Sequence, residues 1–250
     1  MSSKKIFAAN WKLHKNPAQT REFFKNFLSE ASKSLFASSN SESEIYFFPS
    51  AISLEATSQS LKDSPVKFGS QNCYSLSQGA FTGEISAQVV KDIGGHSVLI
   101  GHSERRKIFN EVDQLIADKV AHVQSLGLTP LFCIGETLEE RESNKVKQVL
   151  ETQIRMGLSK ADSTKSLIVA YEPVWAIGTG KIASSAQVKE THQLVYDLLK
   201  SVSFEKSAIL YGGSVKPDNS KELLQIPHVD GFLVGGASLE PLSFMAIVRS

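Results

Sequence analysis

Residues 97–134 read SVLIGHSERRKIFNEVDQLIADKVAHVQSLGLTPLFCI and contain the pattern from which the fold class is inferred. Its first apolar run, Ser97 to Gly101, is continuous, which is typical of a strand buried on both faces of a parallel sheet. A helical period follows and stops at Gly127, a residue type that commonly ends a helix. Its face comprises Val112, Leu115, Ile116, Lys119, Val120 and Val123. A second run, Thr129 to Ile134, completes a strand–helix–strand unit.

The same alternation extends along the whole chain. The apolar runs are Lys5 to Ala9, Glu44 to Phe48, Val66 to Gly69, Ser97 to Gly101, Thr129 to Ile134, Ser166 to Tyr171, Ala208 to Tyr211 and Gly231 to Val234. Eight such repeats in 250 residues favour an α/β fold, a (β/α)8 barrel with a closed parallel sheet. A doubly wound open sheet competes, because alternation does not reveal closure. No segment has the composition of a linker, so we expect residues 1–250 to form a single domain.

Three helix starts are predicted from capping side chains. Asn16 precedes Pro17 and has Gln19 three residues on, while Thr137 to Glu140 and Ser184 to Gln187 have capping-box spacing. The predicted apolar face after Pro17 comprises Phe23, Phe24, Phe27, Leu28, Ala31 and Leu35. The face after Ser184 comprises Val188, Val195, Leu198, Leu199 and Val202.

Composition argues against several classes of protein. Twenty-seven Lys and Arg against 26 Asp and Glu leave a net charge of +1, so nucleic acid is not an expected partner. Two cysteines, Cys73 and Cys133, support neither a disulfide framework nor a four-thiolate zinc site. No apolar run has the length of a signal peptide or a membrane span, and we expect no membrane partner. A reducing, cytoplasmic setting is the expectation.

Polar side chains should collect where the strands finish, because barrel active sites form at that face. Glu172 follows an apolar run, and burial would raise its pKa and suit a general base, unless it is ion-paired or capping. His102 precedes Ser103, a predicted helix N-cap, and the helix N-terminus favours a neutral imidazole donor over a charged one. A histidine hydrogen-bonded in the core is the alternative. Lys12 could bind a phosphate or oxyanion, or it could simply be a solvated charge. Asn10 could donate to a carbonyl, or it could only cap a turn.

Glycine loops follow the last two strands. Gly212-Gly213-Ser214 and Gly235-Gly236 would let backbone N–H groups converge on an anion, where ordinary turn chemistry is the alternative. Residues 173–181, PVWAIGTGK, combine a rigid start, an apolar centre and two glycines, a composition that suits a lid as well as a rigid surface loop. The predicted lid positions are Pro173, Trp175, Ile177, Gly178, Thr179, Gly180 and Lys181.

Nucleotide and metal motifs fail on spacing. Gly180-Lys181 is followed by Ile182, which excludes a Walker A loop. A loose dinucleotide fingerprint at Gly178 begins seven residues after Tyr171 instead of directly after the strand, so we treat it as chance. The histidines show no metal-ligand spacing, and neither a metal nor a cofactor is expected.

Assembled in order, the strand-end strings resemble the triosephosphate isomerase family. The matching segments are Ala9 to Lys12, Gln71-Asn72, Gly79 to Glu84, Ile100 to Arg106, Cys133 to Thr137, Ala170 to Lys181, Tyr211 to Ser214 and Val229 to Ser238. They cover the chain from end to end, and the resemblance implies the closed barrel over the open sheet. It also implies interconversion of dihydroxyacetone phosphate and D-glyceraldehyde 3-phosphate through an enediolate, in glycolysis and gluconeogenesis.

The resemblance also implies roles by position. Glu172 matches the base that moves a proton between two substrate carbons, His102 the neutral electrophile, and Lys12 the stabilising cation, with Asn10 beside it. The positions matching phosphate donors are Gly178, Ser214, Gly235 and Gly236, and those in supporting motif positions are Ser103, Glu104 and Cys133.

A homodimer is implied because Thr82 matches a loop that reaches into a neighbouring subunit. Near this contact the chain departs from the family's commonest pattern. Leu13-His14 stands where Met-Asn is frequent, and Ser70 stands where Ala is usual. Two other functions stay open: an aldolase-type barrel enzyme with Lys12 as a Schiff-base lysine, and a non-catalytic phosphometabolite-binding protein.

Overall fold

The computed structural model describes residues 4–35, 43–177 and 182–250. Eight parallel strands pair in chain order, and β1 pairs with both β2 and β8, so the barrel is closed. The strands are β1 (Lys5–Asn10), β2 (Ser43–Phe48), β3 (Lys67–Ser70), β4 (Ser97–Ile100), β5 (Thr129–Ile134), β6 (Ile168–Tyr171), β7 (Ala208–Tyr211) and β8 (Gly231–Val234). The predicted closed barrel is confirmed, and the open doubly wound sheet is wrong.

Ten helices within the described ranges surround the barrel. They are α1 (Pro17–Ser34), α2 (Leu54–Leu61), α3 (Ala87–Asp92), α4 (Ser103–Ile108), α5 (Asp113–Ser125), α6 (Leu138–Glu142), α7 (Val146–Gly157), α8 (Ser185–Ser201), α9 (Ser220–Leu223) and α10 (Pro241–Val248). Single 3₁₀ turns occur at Ala51–Ser53, Val174–Ala176 and Gly236–Ser238. No helix in this part of the chain is long and apolar enough to cross a membrane.

The strands are apolar on both faces because each face packs against a different layer. Ile6 and Ala8 of β1 belong to a cluster inside the barrel, whereas Phe7 and Ala9 pack outward with the helices. Successive side chains of a strand point to opposite faces, so one run supplies both layers. This two-sided burial explains why the runs read as continuous hydrophobicity in the sequence.

The three predicted capping boxes are confirmed at α1, α6 and α8. At α1 the Asn16 side chain accepts the N–H of Gln19 at 2.9 Å, and Gln19 accepts the N–H of Asn16 at 3.0 Å. Gly127 has φ +76° directly after the end of α5, as expected of a C-terminal glycine. These local signals fix where helices begin and end, and therefore which loops reach the barrel mouth.

One position of the predicted α5 face is wrong. Val112 is the N-cap of α5 and is 63% exposed, because the helix begins one residue later than its apolar pattern. Lys119 on the same face is buried, as its position requires, and its charge is balanced within the protein. Its Nζ contacts Glu111 Oε1 at 2.6 Å and donates to Asn72 Oδ1 at 2.8 Å. A lysine on an apolar face here is part of a buried polar cluster.

Candidate active site

A cavity of about 280 Å³ opens at the C-terminal ends of the strands. Residues that follow β1, β4, β6, β7 and β8 line it, so side chains far apart in the sequence meet there. Its lining includes the predicted residues Asn10, Lys12, His102, Glu172, Ile177, Ser214, Gly235 and Gly236. Parallel strands bring all their carboxyl ends to one face, which is the physical reason for this convergence.

Lys12 is held in a strained backbone conformation at the end of β1. Its φ is +51°, a left-handed value that costs a non-glycine residue about 1–3 kcal/mol. Its N–H donates to Asn10 Oδ1 at 3.0 Å, and its carbonyl accepts from Gln71 Nε2 at 2.8 Å. Gln71 also donates to the Phe48 carbonyl at 2.9 Å, which ties the end of β2 to the same turn. These bonds stabilise the strained turn from which the Lys12 side chain extends.

The charge of Lys12 is balanced by a neighbouring carboxylate. Lys12 Nζ lies 2.6 Å from Glu104 Oε1, and both side chains are partly exposed. Because Glu104 lies in the first turn of α4, this ion pair connects the end of β1 to the helix that follows β4. Glu104 therefore fixes the position of the ammonium group, although it does not itself line the cavity.

His102 is the N-cap of α4, and the predicted assignment of Ser103 as N-cap is wrong by one residue. His102 Nδ1 accepts the N–H of Glu104 at 3.2 Å, so it takes the place that a serine hydroxyl would occupy. An accepting Nδ1 carries no proton in the neutral imidazole, which leaves the proton on Nε2. Nε2 lies 2.9 Å from Glu172 Oε1 and faces the cavity.

Glu172 is 2% exposed and contacts two donors. Besides the His102 contact, its Oε2 accepts the backbone N–H of Ser103 at 3.0 Å. Burial raises the pKa of Glu172, but His102, the Ser103 N–H and Lys12 together lower it, and the net pKa is below the ordinary value. The expected raised pKa is therefore wrong for this conformation, because the donors outweigh desolvation.

The pKa of His102 also departs from the sequence-based expectation. Burial lowers the pKa of His102, whereas the adjacent Glu172 carboxylate raises it, and the net shift is upward. The helix N-terminus alone would have lowered it. The Glu172 contact accounts for the difference, so the charge state of the imidazole depends on where that carboxylate lies. The hydrogen bond at Nδ1 still favours the neutral form with a proton on Nε2.

Glycine loops form the opposite wall of the cavity. A Cβ added at Gly213 would lie 2.2 Å from the Tyr211 hydroxyl, so only glycine fits there. Gly235 and Gly236 line the cavity, and a Cβ at Gly236 would meet nothing within 4 Å. That open space leaves the backbone accessible to a ligand at the place where barrel phosphate sites commonly form.

The predicted lid begins as a 3₁₀ turn anchored by a buried carboxylate. Glu136 Oε1 accepts from Trp175 Nε1 at 2.8 Å, from Arg141 Nε at 2.8 Å and from the Tyr171 hydroxyl at 3.1 Å. Ser214 Oγ donates to the Ala176 carbonyl at 2.9 Å, which joins the turn to the loop after β7. The predictions at Gly178, Thr179, Gly180 and Lys181 lie outside the described residues.

Six predicted residues within the described ranges do not line the cavity: Thr82, Ser103, Glu104, Cys133, Pro173 and Trp175. Thr82 lies on an exposed turn, and Cys133 is buried inside the barrel, where burial raises the pKa of its thiol. Burial also raises the pKa of Cys73, to about 12, so neither thiol is poised as a thiolate. Ser70, the departure noted before Gln71, is buried and donates to the Asn72 carbonyl at 2.8 Å.

Some lining residues have no distinctive signal in the sequence. Leu233 is an ordinary apolar residue of β8, and only its inward register would have placed it beneath the cavity. Lys216 and Val215 follow the glycine loop and line the cavity without belonging to a recognisable motif. Arg141 does not line the cavity but donates to Glu136, and it could have been suspected only from that residue, whose burial is a tertiary property.

The site supplies a carboxylate, an N–H donor and an ammonium group around one cavity. A carboxylate can take a proton from carbon next to a carbonyl, while the donor and the cation stabilise the oxyanion that develops. In residues 4–35, 43–177 and 182–250, no cluster of three His, Cys, Asp or Glu side chains could hold a metal ion.

Comparison with known proteins gives one consistent result. A family model described as triosephosphate isomerase matches residues 5–250. The chain is 65% identical over 244 residues to the triosephosphate isomerase of Bdellovibrio bacteriovorus, with 98% of both chains covered. It is 43% identical to that of Thermodesulfovibrio yellowstonii, covering 98% of this chain and 99% of the relative. With that of Chlamydia trachomatis serovar L2 the identity is 45%, covering 99% and 90%.

Proposed function

The chain belongs to the triosephosphate isomerase family, and we propose that it interconverts dihydroxyacetone phosphate and D-glyceraldehyde 3-phosphate. The observation that carries the proposal is the meeting of Glu172, His102 and Lys12 at one cavity beside glycine loops. We further propose that residues 1–250 act as one domain in the cytoplasm, in glycolysis and gluconeogenesis.

Glu172 takes a proton from the substrate carbon next to the carbonyl and later returns it to the neighbouring carbon. The electron pair of the broken C–H bond becomes the carbon–carbon double bond of the enediolate. In the conformation described, donors from His102 and Ser103 lower the pKa of Glu172, so the carboxylate is ionised but weakly basic. A substrate carbonyl that accepts the His102 N–H removes one donor from Glu172. Burial then raises its pKa and strengthens the base.

His102 and Lys12 stabilise the negative charge on the substrate oxygens. His102 and Lys12 both line the cavity that holds Glu172. Each preorganised donor at a developing oxyanion contributes about 3–4 kcal/mol in comparable sites. Asn10 lines the same cavity and fixes the Lys12 backbone, so it supports the cation as well as any bound carbonyl.

The phosphate binds at the glycine loops, to backbone donors at Ser214, Gly235 and Gly236, and at Gly178. Support comes from the lining of the cavity by the first three and from the open space at Gly236. Closure of the lid that starts at Pro173 excludes water and limits loss of phosphate from the enediolate. The contact between Trp175 and Glu136 holds the start of that lid in the conformation described.

The reaction is tested by supplying D-glyceraldehyde 3-phosphate to the purified chain and coupling dihydroxyacetone phosphate to an NADH-dependent reductase. Run in D₂O, the reaction should place solvent deuterium in the product, because the abstracted proton exchanges on Glu172. Glu172→Gln, purified identically, is the control for contaminating enzyme. Absence of turnover together with binding of the phosphate ester would favour the non-catalytic alternative. Borohydride trapping of a Lys12 adduct would favour the aldolase alternative.

We also propose that the chain forms a homodimer through the surface beside Lys12. Leu13 is 95% exposed, and it borders a recess with Ile108 and Phe109, which are also exposed. Grouped apolar side chains of this kind mark interaction surfaces. Thr82 lies on an exposed turn that could enter a partner's recess. Light scattering should give twice the chain mass for the wild type and a single chain for Leu13→Asp. A monomeric wild type at micromolar concentration contradicts the proposal.

A further inference from the structure

The helix that carries the candidate electrophile is too short to be stable by itself. Helix α4 has six residues, and His102 is its N-cap. Isolated helices shorter than about 12–15 residues are marginal in water, so tertiary contacts must hold α4 in place. Because the Ser103 N–H and the His102 ring both contact Glu172, any shift of α4 changes the geometry of the site.

Arg106, in the second half of α4, turns its side chain back toward the ends of the strands. Its Nε donates to the Gly101 carbonyl at 2.8 Å, and its Nη2 donates to the Cys133 carbonyl at 3.3 Å. Its Nη1 forms an ion pair with Asp113 Oδ1 at 2.5 Å. One planar guanidinium thus bridges the carbonyl that follows β4 and a carbonyl near the end of β5, and it stays charge-balanced.

The two carbonyls lie where the pairing of β4 with β5 stops. The last paired residues are Ile100 and Phe132, so Gly101 and Cys133 are the next residues along each strand. Arg106 therefore continues the connection between the strands with a side chain, just beyond the last backbone pair. Gly101, with φ +71°, leads directly into His102.

The end of β5 in turn fixes Glu172. The Glu172 N–H donates to the Ile134 carbonyl at 2.7 Å. A Cβ added at Gly135 would lie 1.8 Å from the Glu172 carbonyl oxygen, so the two backbones are in close contact. Arg106 bonds the backbone before His102 to the backbone that supports Glu172. Within the described ranges, Arg106 is the side chain that donates to the carbonyls of both Gly101 and Cys133.

We propose that Arg106 is a positioning residue, whose bridge between the Gly101 and Cys133 carbonyls sets the His102 imidazole and the Ser103 N–H against Glu172. The inference rests on the proposed isomerase reaction. Lysine cannot replace arginine here, because a single ammonium group lacks the planar fork that reaches both carbonyls and Asp113. A displacement of about 1 Å of a catalytic group can lower a rate about 10²-fold.

The test compares Arg106→Ala and Arg106→Lys with the wild type in the coupled assay. We expect kcat to fall about 10²-fold in both variants, while KM changes little, because the phosphate loops are untouched. Guanidinium ion, at concentrations far below those that unfold proteins, should restore kcat of Arg106→Ala in a saturable way. The control is Arg155→Ala, whose exposed ion pair lies on α7, and it should keep wild-type kcat with or without guanidinium.

A second measurement does not depend on turnover. In the ¹⁵N spectrum of the imidazole, wild-type His102 should show a protonated Nε2 and an accepting Nδ1, and Arg106→Ala should show a mixture of tautomers. Unchanged kcat and an unchanged spectrum in the folded variants would overturn the proposal. So would an activity loss that follows only the unfolded fraction and shows no guanidinium rescue. If Arg106→Ala does not fold, Arg106→Lys decides by the same kcat and spectrum.

The same assay separates this inference from the proposed function. A wild type without turnover removes the isomerase proposal, whatever the variants do. If the wild type and the Arg106 variants are equally active, the isomerase proposal stands and only the positioning role of Arg106 is contradicted.

Discussion

The two mouths of the barrel contain the same kinds of side chain in different surroundings. At the N-terminal mouth, Lys67 Nζ lies 2.8 Å from Glu44 Oε2 and donates to the Tyr46 hydroxyl at 3.2 Å. The Tyr46 hydroxyl donates to the same carboxylate at 3.1 Å. The cavity there is about 420 Å³, larger than the 280 Å³ cavity at the other end. Neither a carboxylate–lysine pair nor a larger cavity distinguishes the mouth that holds the candidate active site.

The burial of one carboxylate does distinguish the two mouths. The Glu44 and Lys67 side chains are 31% and 32% exposed, so water screens their pair. At the C-terminal mouth the Glu172 side chain is only 3% exposed, and Lys12 adopts a strained backbone beside open glycine loops. Charges held in a dry site act more strongly on a reacting atom than the same charges in water. We therefore propose that the reactivity of the C-terminal mouth depends on the desolvation of its buried carboxylate, Glu172, which Glu44 at the other mouth does not share.

The largest expected effect comes from removing one carboxylate at each mouth. Glu172→Gln should lower kcat by about 10⁴-fold, the upper part of the range for a general base, because the amide cannot accept the proton. Glu44→Gln should leave kcat within about twofold of the wild type. Both are measured in the coupled assay, with circular dichroism to show that the fold persists. Equal losses of kcat in the two variants would contradict the proposal that only the C-terminal mouth takes part in the reaction.

The next effect compares the two lysines. Lys12→Met should lower kcat/KM by about 10²–10³-fold, which corresponds to the 3–4 kcal/mol contributed by one donor at an oxyanion. Lys67→Met should leave kcat/KM unchanged within about twofold, since its ammonium faces the other end of the barrel. Steady-state kinetics in both reaction directions make the measurement. A strong kinetic effect of Lys67→Met would mean that the N-terminal mouth takes part in the reaction.

The smallest effect concerns stability at the N-terminal mouth. Burial raises the pKa of Glu44, but the contacts with Lys67 and Tyr46 lower it by more than burial raises it. The net pKa therefore lies below 4.5. A carboxyl with a lowered folded-state pKa stabilises the fold above its unfolded pKa, and that contribution is lost as pH falls through the folded pKa. Glu44→Gln should thus reduce the free energy of unfolding by less than about 1 kcal/mol at neutral pH, after allowance for screening.

Comparing the stability of the wild type and Glu44→Gln in acid tests whether the contribution of Glu44 disappears as the pH falls. Well below pH 4.5 the wild type and Glu44→Gln should converge in urea midpoint, because the wild-type carboxyl is then protonated as well. A difference that grows as the pH falls would contradict the ionic origin of this contribution. Kinetic constants of Glu44→Gln serve as the internal control and should not change with the stability difference.

Much of the fold was predictable because its signals are local. Each strand predicted from a continuous apolar run is present with ends within two residues, and the three capping boxes lie at the predicted helix starts. Closure of the sheet was not a local property: the eight repeats favoured a barrel but left an open sheet as the alternative, and the family resemblance implied the closed form. For the site, strand-end position predicted which side chains would be near each other. Their catalytic roles stay predictions until the variants are measured.

The missed details depend on contacts between distant segments. The N-cap of α4 is His102 and not the predicted Ser103, because the imidazole accepts a backbone N–H. The sequence pattern of a helix start does not distinguish between these two residues. The pKa of Glu172 falls instead of rising because donors 69 and 70 residues earlier in the chain converge on its carboxylate. The bridge made by Arg106 requires two strand ends that only the closed barrel places side by side.

The amino-acid sequence by itself determined the alternation of strands and helices, the helix starts, and the residue types at each strand end. Periodicity and capping act over a few neighbouring residues, so they can be read without the fold. The tertiary structure alone decided which polar groups touch, how dry they are, and therefore in which direction each pKa moves. Distance and desolvation between segments far apart in the chain set those properties, and local sequence carries neither.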